Sequence, residues 1–202
     1  MKLFLLTMVA VTTIAITSYA QNLTPIALGS IAPKSEAKMK DISGKDVSLK
    51  DAVGKNGLLV MFSCNTCPYV IKNQDRTKEI ANYASQNGYG VIIINSNEAL
   101  RGDDDSYEAM QAYAKSQGYK WHYVVDKNSD IANAFGATRT PETFLFDKQG
   151  KLIYHGAIDD NPSDAGNVKR QHLKEAINEA NAGKDISVKE SRSVGCTIKR
   201  VM

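Results

Sequence analysis

Two cysteines separated by two residues, Cys64-Asn65-Thr66-Cys67, stand directly after the apolar run Leu58-Leu59-Val60-Met61-Phe62. The chemistry open to such a pair is reversible sulfur–sulfur exchange. Two intervening residues permit a small disulfide ring that opens and closes without refolding the rest of the chain. The run before it reads as a strand buried on both faces. Pro68 is tolerated in the first turn of a helix, so the pair lies between a strand end and a helix start. A helix N-terminus offers unsatisfied N–H groups and positive partial charge, both of which favour thiolate over thiol. On this reading Cys64, at or just ahead of the cap, is the more accessible sulfur and attacks, and Cys67, turned inward, resolves the mixed disulfide. The rival uses of such thiols are an inert structural bridge and half of a zinc site. Zinc takes four ligands, and no second CxxC or paired-histidine spacing supplies them, since His122, His155 and His172 are scattered. Neither a metal nor a cofactor is expected.

A second feature is Arg139-Thr140-Pro141 ahead of the strand-like Thr143-Phe144-Leu145-Phe146. A proline at a strand start avoids the ladder position it would spoil. With a cis Thr140–Pro141 bond, the turn sets the Thr140 backbone against the cysteine pair as a docking edge for extended substrate. An ordinary trans loop proline is the alternative. The third cysteine, Cys196, stands in a polar tail. It either anchors that tail as a half-buried thiol or serves as an extra resolving thiol exchanging with Cys64 or Cys67. Asp103-Asp104-Asp105 reads as a solvated loop leading into a helix, with Asp105 and Glu108 at capping-box spacing. Gly88-Tyr89-Gly90 precedes a strand rather than following one, so it is no dinucleotide loop.

The elements that must position these groups alternate along the chain. Ser43-Gly44-Lys45-Asp46 is a turn between two short strands, and Val91-Ile92-Ile93-Ile94 is a second buried strand. Helices are expected from about Tyr69 to Asn87, from Asp105 to Gly118, from Ser129 to Phe135 and from Val168 to Ala182. A third strand covers His122 to Val125. Thr143–Phe146 and Leu152–Tyr154 form a hairpin about Asp147-Lys148-Gln149-Gly150. Repeated βα units, then a hairpin and a closing helix, describe an α/β fold with a mixed central sheet and helices on both faces.

Met1-Lys2, the uncharged run Leu3 to Ile16 and the small residues of Ser18-Tyr19-Ala20 have the order of a secretory signal peptide cut after Ala20. Over Leu3 to Ala20, at the lower edge of the length that spans a bilayer, Thr7, Thr12, Thr13 and Thr17 dilute the apolar character and argue against a membrane anchor, so no stable membrane insertion is expected after cleavage. The organisation expected is residues 1–20 as leader, 21–37 as extended lead-in, 38–183 as one domain and 184–202 as the tail with Cys196. The mature protein is expected to be periplasmic or secreted, where thiols are not kept reduced by default. Asn22-Leu23-Thr24 fits a glycosylation acceptor. With 202 residues, 43% of them hydrophobic, and a net charge of +3, the chain has a proper core and no basic surplus that calls for nucleic acid.

Taken together, the layout resembles the thioredoxin-fold superfamily, and more closely the exported, peroxiredoxin-like proteins of the redoxin group. The residues that carry the likeness are Phe62 to Val70, Arg139 to Asp147, Tyr154 to Pro162 and Gly195 to Lys199. The resemblance implies a thioredoxin-like three-layer sandwich, Cys64 and Cys67 as the redox-active pair, and Pro141 as the cis-proline of a groove where Thr140 meets substrate. It implies a thiol–disulfide oxidoreductase working on protein or peptide disulfides, with a redox partner to recycle it. Peroxiredoxins carry P-x-x-x-T-x-x-C, and aligned on Cys67 that pattern meets Val60 and Cys64 in place of proline and threonine. A thiol peroxidase is therefore the alternative, and a copper-binding metallochaperone using Cys64, Cys67 and His155 is the more distant one. Asn65-Thr66 leaves the direction of electron flow open.

Overall fold

The computed structural model describes residues 23–201. The expected signal peptide of residues 1–20, its expected cut after Ala20, and Asn22 of the candidate glycosylation triplet lie outside the described residues. Strands β1 (Met39–Asp41) and β2 (Asp46–Val47) form the expected first hairpin. There follow β3 (Gly57–Ser63), α1 (Pro68–Lys72), α2 (Gln74–Gln86), β4 (Tyr89–Asn95), α3 (Tyr107–Gln117) and β5 (His122–Val125). The chain continues through α4 (Asp130–Phe135), β6 (Arg139–Thr140), β7 (Glu142–Asp147), β8 (Leu152–Gly156), α5 (His172–Asn181) and β9 (Cys196–Thr197).

Seven strands lie in the order β2-β1-β5-β4-β3-β7-β8. β3 runs parallel to β4 and β4 to β5, while β7 and β1 join antiparallel. Alternation along the central strands then sorts the core into two layers. Leu58, Val60, Phe62, Ile92 and Ile94 meet Ile131, Ala132 and Phe135 of α4 on one face. Leu59, Met61 and Val91 meet Ile80, Ala81 and Ala84 of α2, and Leu173, Ala176 and Ile177 of α5, on the other. Ile93 and Tyr123 take Met110 and Ala114 of α3 on that same side. This is the thioredoxin-like α/β sandwich. Helix α4 ends where Gly136 adopts φ 66°. A Cβ there would stand 1.9 Å from the Thr24 carbonyl oxygen, so only glycine lets the lead-in pack this close.

Three expectations need correction. The helix after the cysteines is not continuous. It breaks at Asn73 (φ −96°, ψ 4°), whose buried side-chain amide donates to the carbonyls of Tyr69 (2.7 Å) and Pro162 (3.0 Å). The polar stretch there is polar because it binds: Arg76 pairs with Asp159 at 2.6 Å and donates to the Asn161 carbonyl. The last helix starts at His172, since Lys169 and Arg170 are held in a loop by hydrogen bonds to Asp160. Asp105 caps nothing. Ser106 is the N-cap of α3, accepting from the Ala109 N–H, while Asp105 is fully buried.

Candidate active site

Strand β3 delivers the loop Cys64–Cys67 at its carboxyl end, and Cys67 is the N-cap residue of α1 with Pro68 next to it. Both sulfurs are covered: Cys64 is 1% and Cys67 5% exposed. The expectation that Cys64 is the accessible sulfur is therefore corrected. It lies ahead of the cap, but at the buried end of a central strand. Cys64 Sγ shares a hydrogen bond with Thr140 Oγ1 at 3.5 Å, and Cys67 Sγ lies 3.4 Å from the Thr140 carbonyl oxygen. The Thr140–Pro141 bond is cis. Thr140 thus faces both cysteines.

Cys67 is bonded to Cys196, 129 positions further along the chain, with Cα atoms 6.1 Å apart; Cys64 is a free thiol. The tail reaches the site as a strand. β9 pairs antiparallel with β6, Thr140 opposite Cys196 and Arg139 opposite Thr197. Ile198 donates its N–H to the Thr138 carbonyl and buries its side chain in the α4-side core beside Phe62. Lys199 donates its N–H to Asn97 Oδ1 at 2.8 Å, and Arg200 donates to the Ala137 carbonyl at 2.6 Å. Gly195 makes this fit feasible, because a Cβ there would stand 2.2 Å from the Thr140 carbonyl oxygen.

A buried polar network holds the loop from the other side. The Asp105 carboxylate accepts from the Asn65 N–H (2.8 Å), Asn95 Nδ2 (2.7 Å) and Asn97 Nδ2 (2.8 Å). Tyr123 donates its hydroxyl to Asn65 Oδ1 at 2.8 Å. Glu142 braces the β6 edge. Its Oε2 accepts from the N–H groups of Thr138 and Arg139, and its Oε1 lies 2.7 Å from His155 Nε2. His155, the histidine a copper site would need, is committed to that contact and stacked on Phe144. Among the described residues no group of three histidine, cysteine or acidic side chains is gathered for a metal.

These surroundings set the Cys64 thiol. Burial pushes its pKa up, the Thr140 hydroxyl opposes that shift, and the nearby Asp105 charge adds to it. In this state Cys64 is a sheltered free thiol whose ionisation burial disfavours. A cavity of about 980 Å³ is lined by Lys55, Asn56, Asp147 and Lys189 around the opposite end of β3, and none of the three cysteines lines it.

Residues 27–171 match the redoxin family model. The chain belongs to the redoxin family. Thiol-based redox chemistry is accordingly the business of this redoxin, an oxidoreductase. It is similar to an uncharacterised conserved protein of Geobacillus kaustophilus, at 31% identity over 87% of this chain and 93% of that one, with a TM-score of 0.80. A hypothetical protein of Sinorhizobium meliloti 1021 is 32% identical over 88% of this chain and 97% of that one, with a TM-score of 0.77. The thioredoxin domain of a thiol-disulfide oxidoreductase from Bacteroides vulgatus shares the fold, at 23% identity over 65% of this chain and 89% of that one, with a TM-score of 0.54. A comparison with curated proteins finds no match.

The residues expected at the site, Cys64, Cys67, Thr140, Pro141 and Cys196, are brought together by the redoxin fold. Asp105, Asn65, Asn97 and Glu142 were not anticipated. The available signal was Asn95-Ser96-Asn97, a polar cluster following the apolar run of β4, where buried amides demand partners.

Proposed function

We propose that this redoxin is an exported thiol–disulfide oxidoreductase that acts on protein or peptide disulfides and is recycled by a thiol partner. One observation carries the substrate class. Cys196-Thr197 lies extended along the Arg139–Thr140 edge, with its sulfur bonded to Cys67. An extended polypeptide caught as a mixed disulfide would take the same arrangement, with backbone pairing supplying affinity and the cysteine supplying chemistry. Export rests on the leader, with Lys2, the apolar run Leu3–Ile16 and Ala20 at the cut.

The roles of the two loop cysteines follow from which of them bonds the docked strand. Cys67 takes the sulfur of the substrate, releasing its first thiol. Cys64, adjacent through Thr140, then attacks Cys67, closes the Cys64–Cys67 bond and releases the second thiol. Two substrate thiols are gained and two protein thiols are lost. This reverses the order that the spacing alone suggested. No contact favours peroxide as substrate, because Val60 and Cys64 stand where that chemistry would place proline and threonine.

The test is insulin reduction coupled to dithiothreitol, run beside a trapping experiment. Cys67→Ser abolishes turnover and captures no peptide, whereas Cys64→Ser combined with Cys196→Ser, which removes both thiols able to displace it, accumulates a peptide bonded to Cys67. Undiminished turnover by Cys67→Ser sinks the proposal, and peptide captured on Cys64 in Cys67→Ser restores the opposite order of attack.

A further inference from the structure

If extended polypeptide is the substrate, the groove that should receive it is occupied by the chain itself. β9 fills the β6 edge, Cys196 holds the sulfur position on Cys67, and Ile198 fills an apolar site beneath. The docking extends well beyond the disulfide. Arg139 Nη1 donates to Thr197 Oγ1 at 2.7 Å, Ala99 donates its N–H to the Lys199 carbonyl, and Ser191 Oγ accepts from the Ala157 N–H at 2.9 Å. A simple anchor would need only a bond somewhere along the tail. Here the bond is made to the sulfur that opens α1, and the remaining cysteine stands on the same threonine, Cys64 on its hydroxyl and Cys67 at its carbonyl.

We propose that residues Gly195–Lys199 are a tethered stand-in for substrate, that Cys196 is a third redox cysteine, and that Cys64 discharges it. The Cys64 thiolate attacks Cys67 Sγ. The Cys64–Cys67 bond forms as the Cys67–Cys196 bond breaks, and Cys196 leaves as a thiolate that takes up the proton Cys64 gave to solvent. One disulfide and one thiol are present before and after, so no outside oxidant or reductant enters. The step is the one by which Cys64 would release a substrate, and the inference rests on that reading of the site. It also states what an incoming segment must present. A residue without a side chain precedes its cysteine, because of the Thr140 carbonyl, and an apolar residue follows two positions after it, in the Ile198 site.

The experiment uses the oxidised full chain with no reductant present. The protein is incubated with iodoacetamide at mildly alkaline pH, quenched in acid, and mapped for carbamidomethyl groups and disulfide-linked peptides. In the wild type, label accumulates on Cys196 while a Cys64–Cys67 linkage replaces Cys67–Cys196. In Cys64→Ser, labelling of Cys196 falls at least tenfold and the Cys67–Cys196 peptide persists. Cys64→Ala serves equally should the serine variant fail to fold. Label confined to Cys64, no label on the folded wild type, or equal labelling of Cys196 in the wild type and the Cys64 variants overturns the inference. A protein that behaves so and still reduces insulin loses the stand-in alone; one that isomerises but leaves insulin intact loses the proposed function instead.

Discussion

Replacing Asp105 by Asn separates what this carboxylate does for stability from what it does to the thiol. Asp105 is fully buried, and three N–H donors converge on it at 2.7–2.8 Å. In Asp105→Asn the remaining carbonyl oxygen can still take Asn65 and Asn95, both of which use Oδ1. The new amide then points hydrogens at the hydrogens of Asn97. Hydrogen bonds to a charged group contribute about 1.5–3 kcal/mol and neutral ones about 0.5–1.5, and an orphaned buried donor costs a further ~1–3. At the lower ends of these ranges one lost bond, two weakened bonds and one orphaned donor cost about 4.5 kcal/mol. At roughly 2–4 °C per kcal/mol for a chain of this size, the melting temperature falls by about 9–18 °C. Asn97 cannot escape by turning its amide, because its Oδ1 already holds the Lys199 N–H and with it the tail. The second readout moves the other way. Loss of the Asp105 charge lowers the Cys64 pKa, so alkylation of that thiol in a Cys196→Ser background shifts to lower pH. Differential scanning calorimetry and the pH profile of alkylation measure the two effects. A melting temperature within about 1 °C of the wild type refutes the network reasoning, and an unmoved alkylation profile refutes the electrostatic part.

Two further outcomes follow from the same geometry. Burial raises the pKa of Cys64 and of Tyr113, Tyr119, Tyr123 and Tyr154 above their ordinary values. Around Cys64 the facing groups are Asp105, Thr140 and the first three of those tyrosines. Below the ordinary thiol value, about 8.5, these groups are protonated in both folded and unfolded chains and stability does not respond to them. As pH rises beyond that, the unfolded chain gives up protons that the folded chain keeps, so stability falls, first for the thiol and then near pH 10 for the phenols. Urea midpoints that stay level from pH 7 to 10.5 would contradict this. Gly195→Ala places a methyl group against the Thr140 carbonyl, and overpacking of this kind costs about 1–3 kcal/mol. Amide hydrogen exchange at Ile198 should speed up accordingly, and protection equal to the wild type counts against the close fit.

What could be read from the sequence was local. Strands β3 and β4 announced themselves as continuous apolar runs, and the cysteine pair and Pro68 marked the junction of strand and helix within ten residues. Thr140 and Pro141 were found by type and placement. What escaped was set by distance along the chain. Nothing near Cys196 says that its partner lies 129 residues away, and a two-residue strand such as β9 has no periodicity to detect. Asp105 looked solvated because Asp103 and Asp104 are, yet one step further along the chain it turns inward to the amides of β4 and Asn97. The Cys64 exposure was misjudged because nearness to a helix start says nothing about which segment lies on top.

The borders of the sheet repay a last look. β2 is only two residues long, too short to template a neighbour. The outer side of β8 is taken at one end by Gly29 and Ser30, which exchange hydrogen bonds with Leu152, and at the other by Lys189 and Ser191 against His155. β6, the remaining short ribbon, is taken by β9. The described edges of the sheet are thus short or already paired, so that copies crowded together have little main chain to offer one another.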